Sequence, residues 1–102
     1  MTIATSGTTS TAHEVRTGYR VLAIETPATL TGTAFTFEAS ADGGTTYRAL
    51  YNGGSAYSVN VGTSRYIALD LDVFEGVRLF RIVSGSTETG TRTINIVTGD
   101  GP

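Results

Sequence analysis

The chain has 102 residues, no Cys and no Trp, with nine carboxylates against seven basic residues, all Arg, for a formal net charge of -2. This length fits one domain. The missing Cys removes disulfides, zinc–thiolate sites and thiol nucleophiles together, and an acidic balance without a basic run argues against a nucleic-acid partner and against a polybasic membrane-binding face.

Residues 1–11 are small, polar and without period. They read as a flexible arm ahead of a domain over 12–102. With no charged start and no apolar core, the segment is not expected to be a signal peptide. The apolar runs that follow are too short for a membrane helix.

Thr is the commonest residue, and Gly, with 13 copies, follows. The first favours strands and the second turns. A short strand is possible over 12–17. Residues 19–26 form the first clear strand, with Val21 and Ala23 on one side and Leu22 and Ile24 on the other. Apolar on both faces, it predicts a central or doubly covered strand. Pro27 ends it. Residues 33–40 alternate, with Phe35, Phe37 and Ala39 inward and Thr36 and Glu38 outward. Ala41-Asp42-Gly43-Gly44 is a turn. Strands follow at 46–51, after which Asn52-Gly53-Gly54 turns the chain, and at 56–61, which groups Tyr57, Val59 and Val61. Residues 65–71 group Ile67, Leu69 and Leu71. Residues 72–76 read as a loop whose Val73 and Phe74 plug one end of the core. Strands at 77–84 and 91–98, the latter with Ile94 and Ile96 on one face, flank a polar turn at 85–90. The end, 99–102, reads as solvated. Seven strands, or eight with 12–17, at short regular spacing predict an all-β antiparallel β-sandwich or small jelly roll. A closed barrel is the structural alternative.

Catalytic equipment is sparse. His13 is the single histidine, so a Ser-His-Asp arrangement must use it, yet it borders the arm, where a general base is not held in place. Asp70, Asp72 and Glu75 are an acidic cluster that can be imagined on Ca²⁺, but their spacing does not match an EF-hand loop. Glu38 with Glu25 or Glu75 is a conceivable glycosidase pair; nothing in the spacing sets the required separation of about 5–9 Å. No catalytic, cofactor or metal residue is therefore assigned, and the chain is not expected to be an enzyme.

Ser40-Ala41-Asp42-Gly43-Gly44-Thr45-Thr46-Tyr47 resembles the Asp-box pattern Ser-x-Asp-x-Gly-x-Thr-Trp, with Tyr47 in place of Trp. Asp42 can accept backbone N–H groups across the turn, which predicts a rigid hairpin. A sugar-contacting loop is the alternative. Five Tyr residues, at 19, 47, 51, 57 and 66, raise the same carbohydrate-platform idea, although Tyr47 and Tyr57 fall on expected core faces.

Over residues 19–98 the order of segments is distinctive: Tyr19-Arg20-Val21-Leu22, the hairpin from Leu30 to Tyr47, Arg65-Tyr66-Ile67-Ala68-Leu69-Asp70, Phe74-Glu75-Gly76-Val77-Arg78, then Arg81-Ile82-Val83-Ser84-Gly85-Ser86. This order resembles small β-sandwich capsid decoration, or cement, proteins of tailed bacteriophages. The motifs carrying the resemblance are strand and turn motifs. It implies a structural virion protein, assembled in the host cytoplasm, that binds the major capsid protein on the outer capsid surface as a homotrimer and stabilises the shell. A carbohydrate-binding or adhesive module, with possible glycan contact, and another head–tail structural component are the alternatives.

Overall fold

Strands form where β-branched and aromatic residues alternate with polar ones, and turns where Gly and Asn interrupt them. The computed structural model describes residues 1–100 and is all-β apart from one helical turn. In chain order the elements are β1 (Thr2–Ile3), β2 (His13–Glu14), β3 (Tyr19–Glu25), β4 (Ala34–Ser40), β5 (Arg48–Ala49), β6 (Tyr51–Asn52), β7 (Ser55–Ala56) and β8 (Ser58–Asn60). Then come β9 (Tyr66–Ala68), α1 (Leu71–Phe74), β10 (Leu79–Ser84), β11 (Arg92–Thr93) and β12 (Asn95–Asp100).

Two antiparallel sheets enclose the core. The larger runs β2-β10-β4-β5, with β8 also on β4; the smaller runs β12-β3-β9. β5 pairs with β4 at Glu38–Ala39 and β8 pairs with it at Ala34–Thr36. These two are therefore one edge, interrupted where the β6–β7 hairpin leaves it. The Leu50 N–H donates to the Phe37 carbonyl and the Tyr57 N–H to the Leu50 carbonyl, closing the neck of that hairpin.

Phe35, Phe37, Phe74 and Phe80 are all buried. Phe74 stands edge-on to Phe37 at 5.1 Å and to Phe80 at 5.5 Å, the T-shaped geometry the ring quadrupole favours. The inward set expected for 33–40 is found, and Phe74 does plug the core. Truncating Phe37→Ala is expected to destabilise the domain by about 3–5 kcal/mol. Urea unfolding measures this, and a near-neutral result would mean the aromatic cluster does not hold the two sheets together.

Several expectations are corrected. Residues 1–11 are not a free arm. β1 pairs with β11, and Ile3 is fully buried in the core. Residues 8–15 run along the open edge of β10: Ser84 N–H donates to the Thr8 carbonyl, Ser10 N–H to Ile82, and Val15 N–H to Arg78. The Ser10 hydroxyl accepts a further bond from Ile82 N–H. The pairing is carried by backbone and hydroxyls, so it leaves no apolar period to read. Residues 71–74 form a helical turn, not strand and loop, because the Asp70 side chain caps it by accepting the Asp72 N–H. Leu71 is accordingly exposed rather than grouped with Ile67 and Leu69. In β3 the register shifts opposite Val97/Thr98. Around this bulge Val21 and Ala23 are buried together, as expected, but Ile24 is buried with them instead of sharing the side of the half-buried Leu22. Of the expected solvated end, Gly99 and Asp100 belong to β12; residues 101–102 lie outside the described residues.

Candidate functional site

The Asp-box-like turn is built as its residues dictate. The Ser40 hydroxyl donates to Asp42 Oδ1 at 2.8 Å and accepts from Gly44 N–H at 2.9 Å. The same Asp42 oxygen accepts Thr46 N–H at 2.9 Å. The Thr46 amide and then the Ser40 hydroxyl hold the Asp42 carboxyl below its ordinary range. Gly43 and Gly44 sit at φ 76° and 101°, a region that side chains avoid. Tyr47 does not enter the core. Its ring lies under the Arg81 guanidinium at 4.0 Å, and Arg81 in turn pairs with Glu38 at 2.7 Å. The turn is thus a self-satisfied knot on the outer face of the larger sheet.

Beside it opens a groove of about 680 Å³, a size that suits a ligand or a short peptide segment. Its floor is apolar, with Leu50, Val73, Val77 and Leu79. Arg48, Arg78, Glu14 and Glu75 stand around it. Among the described residues, the ion pairs within 4.0 Å are Arg81–Glu38 and Arg92–Glu88, so none of these four rim charges is in an ion pair, although Arg78 Nη1 donates to the Thr17 hydroxyl at 3.4 Å. Tyr51, 60 % exposed, stands at the mouth where the β6–β7 hairpin departs. Every residue of 51–56 is exposed.

The other candidate residues do not converge. His13 lies in β2, not on a mobile arm, and its ring meets Phe80 edge-on at 5.8 Å. Burial, and then the charge of the N-terminal ammonium, lower its pKa and favour the neutral ring. Asp70 is spent on capping α1, and among the described residues no three His, Asp or Glu side chains gather as metal ligands. Glu25 accepts from Asn95 Nδ2 on the smaller sheet, while Glu38 holds Arg81 on the larger one. Tyr57 packs on the core and accepts the Asp70 N–H on its hydroxyl. Tyr66 is 65 % exposed on β9.

One group escaped the sequence reading. Glu88, in the polar turn at 85–90, is fully buried. It accepts Thr31 N–H, Gly32 N–H, the Ser84 hydroxyl and Arg92 Nε, all between 2.8 and 2.9 Å. Arg92 also reaches the Thr31 and Thr89 hydroxyls. Gly32 is needed here for close approach, since a Cβ would strike the Ser84 hydroxyl. The group ties two loops together and faces no opening. The one available signal was a lone Glu four residues before an Arg within an otherwise uncharged loop.

Compared with protein-family models, with curated proteins and with solved structures, the chain matches none.

Proposed function

We propose that this chain is a non-catalytic structural virion protein: a decoration protein that binds the major capsid protein on the outer surface of a phage capsid, as a trimer, and stabilises the shell. The order of segments over 19–98 supports the family, and the stiff all-β framework supports a load-carrying role. The observation that carries the reading is the β6–β7 hairpin with the groove beside it. A two-stranded hairpin with both faces in water has little stability of its own. A tyrosine at such a position is the residue type that anchors interfaces. The rim arginines Arg48 and Arg78 suit bidentate pairing with carboxylates of a shell protein.

Co-sedimentation with empty phage heads tests this. The chain is expected to pellet with heads, and Tyr51→Ala to weaken binding about 30-fold, the loss typical of an interface anchor. Its melting temperature should stay unchanged, because the ring is largely exposed. A chain that remains in the supernatant at every concentration contradicts the proposal. The exposed Tyr51 ring favours one second reading, a sugar-stacking surface. Retention on a glycan array, lost in Tyr51→Ala, would favour it.

A further inference from the structure

Two turns, Asp42-Gly43 and Asn52-Gly53, place an acid or amide side chain directly before a glycine. A glycine nitrogen has no Cβ beside it to shield it. It can therefore attack the side-chain carbonyl carbon of the preceding residue and close a five-membered ring. The two turns are built in opposite ways. At Asp42-Gly43 the side chain is held: Asp42 Oδ1 takes the Ser40 hydroxyl at 2.8 Å and the Thr46 N–H at 2.9 Å. These bonds also keep the group ionised, and a carboxylate is a poor electrophile.

At Asn52-Gly53 the geometry is open. Residues 51–56 are all exposed, and the β6–β7 ladder is two residue pairs, Tyr51 with Ala56 and Asn52 with Ser55. Gly53 turns the chain at φ 70°. Beyond the chain neighbours, no atom lies within 4 Å of where a Cβ would stand on Gly53 or Gly54. Among the described residues, no backbone carbonyl takes the Gly53 N–H. A two-stranded ribbon in water opens readily, and each opening lets Asn52 swing its side-chain carbonyl over that nitrogen. The other two asparagines are restrained. After Asn60, the Val61 N–H is bound to the Thr33 carbonyl at 2.9 Å. Asn95 Nδ2 is bound to Glu25 at 2.9 Å, and Ile96 after it is paired opposite Ile24. Val61 and Ile96 also set a branched Cβ beside the nitrogen that would attack.

We propose that Asn52 is a self-modification site, at which the hairpin tip converts to aspartate and to β-linked aspartate. Hydroxide removes the Gly53 amide proton, and the nitrogen attacks Asn52 Cγ. The Cγ–Nδ2 bond breaks, and Nδ2 takes up a proton and leaves as ammonia. Water then opens the resulting succinimide. Attack at Cγ breaks its new bond to nitrogen and gives an α-linked aspartate. Attack at the backbone carbonyl carbon breaks the original peptide bond and leaves the chain running through Cβ and Cγ. Both products add a negative charge beside Tyr51 to a chain already at a formal -2. The β-linked product also inserts a methylene into β6, which breaks the alternation that pairs Asn52 with Ser55. None of residues 51–56 belongs to the core cluster, so the tip ages while the sandwich stays folded. The chemistry needs only water and stands apart from the virion reading.

Peptide mapping tests this after the purified full chain has stood in mildly alkaline heavy-oxygen water below its melting temperature. Cleavage after Arg48 and Arg65 releases 49–65, which carries Asn52 and Asn60 together. Asn52 is expected to exchange its amide for one heavy oxygen at least about tenfold faster than Asn60 or Asn95. The products should separate into two isomers of equal mass, which direct hydrolysis of the amide would not give. Gly53→Ala slows the conversion by a similar factor. Asn52→Gln, which keeps the glycine and its turn, removes the label from that position. Far-UV circular dichroism confirms folding of both variants. An Asn52 that converts no faster than Asn60, or that yields the α-linked product alone, overturns the proposal.

Discussion

Replacing Glu88 with alanine is expected to destabilise the domain by about 3–5 kcal/mol, the loss typical when one partner of a buried ion pair is removed. Without the carboxylate, Arg92 Nε loses its 2.9 Å partner while the side chain stays mostly buried. The Thr31 and Gly32 amides lose their acceptor as well. Guanidinium or urea unfolding reads the effect as a lower midpoint at unchanged slope. A change of less than about 1 kcal/mol would mean that water replaces the carboxylate at little loss.

The same residue sets an acid limit. Burial alone raises the Glu88 pKa, but the Thr31 amide, the Arg92 guanidinium, the Gly32 amide and the Ser84 hydroxyl together outweigh it and hold the group at about 2, against an ordinary value of 4.5. The unfolded chain therefore binds this proton more readily than the folded one. The stabilisation is fully present above pH 4.5 and is lost as pH falls towards about 2. It amounts to about 3 kcal/mol over that window. In the Glu88→Ala variant, the fall in stability across this range should be shallower by that amount. An identical acid profile in both proteins would place the titrating group elsewhere.

Removing residues 1–11 is expected to unfold the domain, or to leave it barely folded at 25 °C. Ile3 alone is worth about 2–5 kcal/mol as Ile3→Ala. The deletion also strips the partners of β11 and of the open edge of β10. A domain of this size has only about 5–15 kcal/mol in total. Circular dichroism melting decides it: the truncated chain should show no cooperative transition, or one far below that of the full chain. A truncated chain melting within a few degrees of the full one would restore the picture of a dispensable arm.

These two predictions fall on segments that pattern reading handles worst. Alternation found β4 and β10 because Phe35, Phe37, Phe80 and Ile82 repeat every second residue and all point inward. The Ser40–Tyr47 turn was legible because its hydrogen bonds are local. Residues 1–11 were not, because their strand pairing is made by amides and hydroxyls to partners more than seventy residues away, as with Ser10 and Ile82. Glu88 resembled any exposed loop carboxylate until four donors from three separate segments enclosed it. β3 was legible as a strand apolar on both sides but not in its facing. Around a single bulge Ile24 is buried together with Val21 and Ala23, while Leu22 is left half-buried. The hairpin and its groove were half-legible: Asn52-Gly53-Gly54 announced the turn, while the charged rim depends on how 73–79 folds back beside β5.

The decoration reading is tested most directly on the shell itself. Scanning calorimetry of empty phage heads, with and without a saturating amount of this chain, compares the transition of the shell in the two states. Anything that binds the assembled form and not the disassembled one must raise that transition. The account predicts an upward shift that saturates with added chain and is reduced in Tyr51→Ala. A shell transition that does not move, with the chain melting separately at its own temperature, would contradict it.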